Sequence, residues 1–135
     1  MNKNKLFKSF IAIGFSLCMM IPVSNVFAAT VSKTKSATVT TSNSCKVAVY
    51  DTAKKNTTTG AWSFSLRCNS VSVPSGYTAQ VAASKLGTNP VLTNNGNTAK
   101  HSVVVSILRS SSGQSAGGAM KDFTFTYSPS TGKIS

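Results

Sequence analysis

The sequence predicts an all-β fold, a small antiparallel β-sandwich with one disulfide. Three observations carry this expectation. Short segments that alternate apolar and polar residues recur along the chain. Turn signals separate them roughly every 8–14 residues. No stretch shows the apolar stripe of an amphipathic helix.

Export is expected first. Lys3, Lys5 and Lys8 precede an apolar run from Phe10 to Ile21, and Val26-Phe27-Ala28 follows with small residues placed for signal peptidase. Residues 1–28 therefore read as a cleavable signal peptide. The run is shorter than the roughly 20 residues needed to span a bilayer, and no later segment is apolar enough to be a transmembrane helix. Removing 28 of the 135 residues leaves 107, one domain's worth. The expected location is outside the cell or on its surface, with periplasmic transit if the envelope has two membranes.

The exported part is strongly basic. Of 14 Lys and Arg, three lie in the signal; Asp51 and Asp122 are the only acids, so the net charge is about +9. That imbalance points to anionic partners: glycans, matrix or cell-surface polymers, lipid surfaces. Nucleic acid fits the charge, but export argues against it. Cys18 leaves with the signal, so Cys45 and Cys68 remain, an even pair that reads as a disulfide in an oxidising compartment.

Residues 29–44 form an extended N-terminal arm of Ala, Thr, Val, Ser and Lys, with Ala37–Thr40 a weak first strand. The β-sandwich domain spans 45–128. Cys45–Tyr50 alternates, with Cys45, Val47 and Val49 on one face. Trp62–Cys68 is the clearest strand, with Trp62, Phe64, Leu66 and Cys68 sharing a face, so the expected disulfide lies in the core beside Trp62 and Phe64. Val73-Pro74-Ser75-Gly76 is a turn, and Tyr77, Ala79, Val81 and Ala83 make another alternating face. Asn94-Asn95-Gly96-Asn97 is a hairpin signal. His101–Arg109 is apolar on both faces, as in a central strand. Ser110–Gly118 reads as a flexible Ser/Gly loop. Phe123, Phe125 and Tyr127 alternate in the last strand, and residues 129–135 are a polar tail. The general shape is immunoglobulin-like, with a small barrel as the alternative.

The catalytic patterns in the sequence lack the context that their chemistry needs. Gly113-Gln114-Ser115-Ala116-Gly117 matches a serine-hydrolase elbow, but that motif needs a strand-to-helix turn in an α/β sheet and a histidine after the serine. The sole histidine, His101, precedes it and reads as a strand-edge residue. Glycosidase chemistry needs two carboxylates across a cleft, whereas Asp51 and Asp122 each sit near a strand end with Lys neighbours, as expected of solvated ion pairs. One histidine and two scattered acids are too few metal ligands, and no cofactor is implied. Asn56-Thr57-Thr58 is a glycosylation sequon by pattern. The reading that remains is a non-enzymatic cationic binding or adhesion protein; the alternative is a cationic antimicrobial or toxin-like protein acting on anionic cell surfaces. Candidate binding residues are the basic ones flanking strands: Lys54, Lys55, Arg67, Lys85, Lys100 and Arg109. Arg67 and Arg109 are the sharper choices, since guanidinium pairs bidentately with sulfate or carboxylate.

The run Val39-Thr40 to Cys45-Lys46-Val47-Ala48-Val49, followed by Leu66-Arg67-Cys68-Asn69, resembles the amino-terminal half of adhesin subunits of the Dr/Afa and aggregative adherence fimbria type. The resemblance covers about 30 residues. It implies a fimbrial subunit that self-assembles through its N-terminal arm, which would fill a missing strand in the next subunit. The sequence departs from that pattern in having a short arm with Lys33 and Lys35 where a donor strand wants apolar residues.

Overall fold

A computed structural model describes residues 29–135; the expected signal peptide lies outside them. The described residues form eight strands: β1 (Thr30–Thr40), β2 (Lys46–Asn56), β3 (Trp62–Ser72), β4 (Tyr77–Ala83), β5 (Val91–Thr93), β6 (Thr98–Arg109), β7 (Ser115–Ser128) and β8 (Lys133–Ile134). They make two antiparallel groups, β1-β2-β3 (sheet A) and β4-β6-β7-β8, with β5 also paired to β6 (sheet B). Among the described residues there is no helix.

The β pattern arises where alternation supplies one apolar face. In β6, Val103, Val105 and Ile107 are wholly buried while Ser102, Val104 and Ser106 between them are half-buried. In β2, Val47, Val49 and Ala53 point inward. These faces, with Val39 of β1, Phe123 and Phe125 of β7 and Ile134 of β8, form one core between the sheets. Trp62, Phe64, Leu66 and Cys68 pack on it only half-buried. The reason is position: β3 is the edge of sheet A, so its inward side chains cover the rim of the core.

The segment from 29 to 44 is more than an extended arm. Eleven of its residues pair continuously with β2, from Thr30 opposite Asn56 to Thr40 opposite Lys46. At the other end, Ile134 is buried and Ser135 exchanges two backbone bonds with Thr126, so part of the polar tail is a strand. The Asn94–Asn97 hairpin forms as its sequence indicates: Asn94, Asn95 and Gly96 take φ of 53°, 53° and 79°.

Two expectations are corrected. Cys45 and Cys68 are both free. They do share the inward face, but β3 pairs Cys68 with Val49. Lys46 lies three residues from that level, about 10 Å along the strand, and Cys45 lies beyond it. A disulfide needs Cα atoms within about 7 Å. Face was legible from alternation; register was not. Two thiols are therefore expected to titrate on unfolding, and reductant should leave the melting temperature unchanged; a sharp fall on reduction would show that the bond forms and the register differs.

The second correction concerns Ser110–Gly118. Only its first part is a turn; Ser115–Gly118 begin β7. At Gly118 glycine is required by space: a Cβ would lie 2.9 Å from the Val105 backbone carbonyl oxygen. Gly118 also accepts a 3.0 Å bond from the Ser42 amide, so the β1–β2 turn packs directly on this stretch.

Candidate binding face

Side chains at even positions of β2 point away from the core, and register extends that face across sheet A. On β2 it carries Lys46, Ala48, Tyr50, Thr52 and Lys54. Ser32, Thr34, Ser36, Thr38 and Thr40 lie alongside on β1, and Ser63, Ser65, Arg67 and Asn69 on β3. The Thr34 and Thr52 hydroxyls meet at 2.7 Å. The Arg67 guanidinium lies 4.0 Å from the centre of the Tyr50 ring. A guanidinium this close to the ring is held over it by cation–π attraction, and its N–H groups can still donate to an oxyanion.

The face carries no acid. Asp51 turns into the core, and Asp122 is on sheet B. Lys46, the Tyr50–Arg67 pair and Lys54 follow at four-residue intervals, about 13 Å apart. This exceeds the Debye length of roughly 8–10 Å in ordinary salt, so the cations repel one another little. The result is a hydroxyl-lined surface with a row of three positive charges.

Of the residues singled out from sequence, Lys54 and Arg67 meet on this face. Lys55 does not: it is the next residue on β2 and points inward, 4% exposed. Its ammonium donates to the Gly60 and Gly96 carbonyls at 3.1 and 2.8 Å and lies 4.7 Å from the Trp62 ring centre. Trp62 Nε1 donates to the same Gly96 carbonyl at 2.7 Å. Lys55 thus ties the β5–β6 hairpin to sheet A, and burial lowers its pKa below the usual lysine value. Lys100 forms an exposed ion pair with Asp122 on sheet B, 3.8 Å, as expected of a solvated acid. Lys85 is exposed in the β4–β5 loop and Arg109 at the end of β6. The structure does not bring these three into the row. Lys46 and Tyr50 escaped the sequence reading, although positions 46, 50 and 54 share parity with one another, which is the signal for one strand face.

Asp51 and His101 also correct an expectation. Neither is a solvated or strand-edge residue. Both lie on inner faces, with His101 Nδ1 and Asp51 Oδ2 2.6 Å apart and their side chains 4% and 0% exposed. Phe64 stacks on the imidazole with centroids 4.1 Å apart. The pair joins β2 of one sheet to β6 of the other. Ser115 of the elbow-like motif pairs with Leu108, whereas His101 pairs with Phe123, far along the same ladder. Ser115 and His101 are therefore not within hydrogen-bond reach.

Among the described residues no cluster of three His, Cys, Asp or Glu could hold a metal ion, and no helix is long and apolar enough to cross a membrane. Comparison with protein-family models, with curated proteins and with solved structures returned no match.

Proposed function

We propose that this chain is an exported, non-enzymatic surface or adhesion protein, an immunoglobulin-like sandwich that binds anionic extracellular polymers through the outer face of sheet A. One observation carries the proposal: a row of Lys46, Arg67 and Lys54 on a Ser/Thr face with no carboxylate. Sulfated or carboxylated glycans and phosphate-bearing wall polymers present repeated oxyanions that suit such a row. The pairing of Thr30–Thr40 with its own chain supports a self-contained binding unit over exchange of that strand between subunits.

The test is retention on an immobilised sulfated polysaccharide as salt is raised. The triple variant Lys46→Ser, Lys54→Ser, Arg67→Ser is expected to lose more than about tenfold in affinity, since each charge-assisted bond contributes about 1.5–3 kcal/mol before solvent screening reduces it. A control triple, Lys85→Ser, Lys100→Ser, Arg109→Ser, removes the same charge elsewhere and should elute near the wild type. Equal losses in both would mean that net charge alone drives binding and would overturn the assignment to this face.

A further inference from the structure

The edge of sheet B is one strand interrupted by a loop. β4 pairs along β6 down to Ala83 opposite Val103, and β5 resumes in the same direction at Val91 opposite Lys100. Between them residues 84–90 leave the sheet. The gap they leave at Ser102 is closed by a side chain: the Asn89 amide accepts from the Ser102 N–H at 2.9 Å and donates to the Ser102 carbonyl at 2.8 Å. Asn89 also donates to the Ser84 carbonyl at 2.9 Å, Ser84 N–H donates to the Ser102 carbonyl at 2.8 Å, and Leu86 N–H donates to Ser84 Oγ at 3.2 Å.

This network holds a loop whose outermost apolar residue is fully presented to solvent. Leu86 is 75% exposed, the most exposed large apolar side chain among the described residues, and the adjacent Lys85 is exposed too. The outer face of sheet B carries one apolar row, Ala82, Val104 and Met120, with Met120 53% exposed, between the polar rows Gln80–Ser106 and Ser102–Asp122; Val91 on the resumed strand is 37% exposed. The acid on this face, Asp122, is paired with Lys100. A hydrogen-bonded loop that presents an apolar tip beside an exposed cation fits the boundary between charged headgroups and hydrocarbon.

We propose that the Lys85–Leu86 loop docks the protein onto an anionic lipid bilayer, Leu86 entering the acyl boundary while Lys85 meets lipid phosphate. This surface lies on sheet B and does not depend on the polyanion reading of sheet A.

The test is co-sedimentation of the protein, as its producing cell processes it, with vesicles of phosphatidylcholine mixed with phosphatidylglycerol. Leu86→Ser is expected to lower partitioning about tenfold or more, from the transfer of one leucine out of water. Lys85→Ser should weaken it at low salt and make little difference at high salt. Both positions are exposed, so an unchanged melting temperature separates lost binding from unfolding. Equal partitioning of Leu86→Ser and wild type would overturn the proposal. So would vesicle binding that vanishes only in the sheet A triple variant, which would assign the attraction to that face. Concentration-dependent self-association abolished by Leu86→Ser, with vesicle binding unchanged, would assign the loop to a second copy of the chain instead.

Discussion

His101→Ala is expected to bring the domain close to unfolding, at a cost of about 3–5 kcal/mol. Asp51 is 0% exposed, and one of its carboxylate oxygens, Oδ1, has no hydrogen-bond partner. The other is held by His101. Removing the imidazole leaves a buried carboxylate without its partner and strips Phe64 of its stacked neighbour. Against a total stability of roughly 5–15 kcal/mol, that is a large fraction. Lys35 lies opposite Asp51 on β1, but its ammonium is already bound to the Thr124 carbonyl at 2.6 Å. The check is a urea midpoint by circular dichroism, with Asp51→Val, His101→Leu as the companion variant. Replacing both partners by apolar groups should recover most of the loss, because breaking such a pair costs far more than substituting it. A loss under about 1 kcal/mol in His101→Ala would mean that the carboxylate is relieved by Lys35 or by solvent.

Phe125→Ala is expected to cost about 3–5 kcal/mol through the cavity it leaves. Phe125 is wholly buried, opposite the small Ala99, with its ring centroid 6.0 Å from that of Phe64. It contacts both sheets' contributions to the core, and Lys35 lies 5.4 Å from its ring centre. For a domain of this size, 1 kcal/mol shifts the melting temperature by roughly 4–8 °C, so a fall of more than about 12 °C is expected. Phe125→Leu should cost much less, since most of the volume is kept. Equal falls in the two variants would point to lost aromatic contacts rather than to the cavity.

The sequence alone carried the fold class and most strand positions. Alternation identified β2, β3, β4 and the end of β7, and Asn94–Asn97 identified the hairpin, because both signals are local and set by side-chain direction and backbone dihedral angles. It also placed Cys45 and Cys68 on inward faces correctly. What it lacked was register. Whether Cys68 faces Val49 or Cys45 depends on the β2–β3 turn and on long-range packing, which no local pattern encodes. The same limit hid the binding face: Lys54 and Arg67 were legible as basic strand residues, but their meeting beside Tyr50 depends on pairing between strands.

The buried polar residues show the other boundary. In β2 the inward positions run Val47, Val49, Asp51, Ala53, Lys55, so the apolar signal fades while the strand continues. Asp51 and Lys55 looked like surface charges because a single sequence contains no sign of the partners that make their burial tolerable. Of those partners, His101 for the acid and the Gly96 carbonyl for the lysine come from distant segments, and the Gly60 carbonyl from the turn that follows β2. Composition likewise suggested a flexible loop for Ser115–Gly118, where Gly118 instead lies too close to the Val105 carbonyl for a side chain and the β1–β2 turn packs alongside. The sequence by itself determined an all-β chain of mostly alternating strands and a large excess of positive charge. Only the tertiary structure decided which charges stand together, which are buried and which cysteine faces which neighbour, because a side chain's direction is a local property and its neighbours are set by the whole chain.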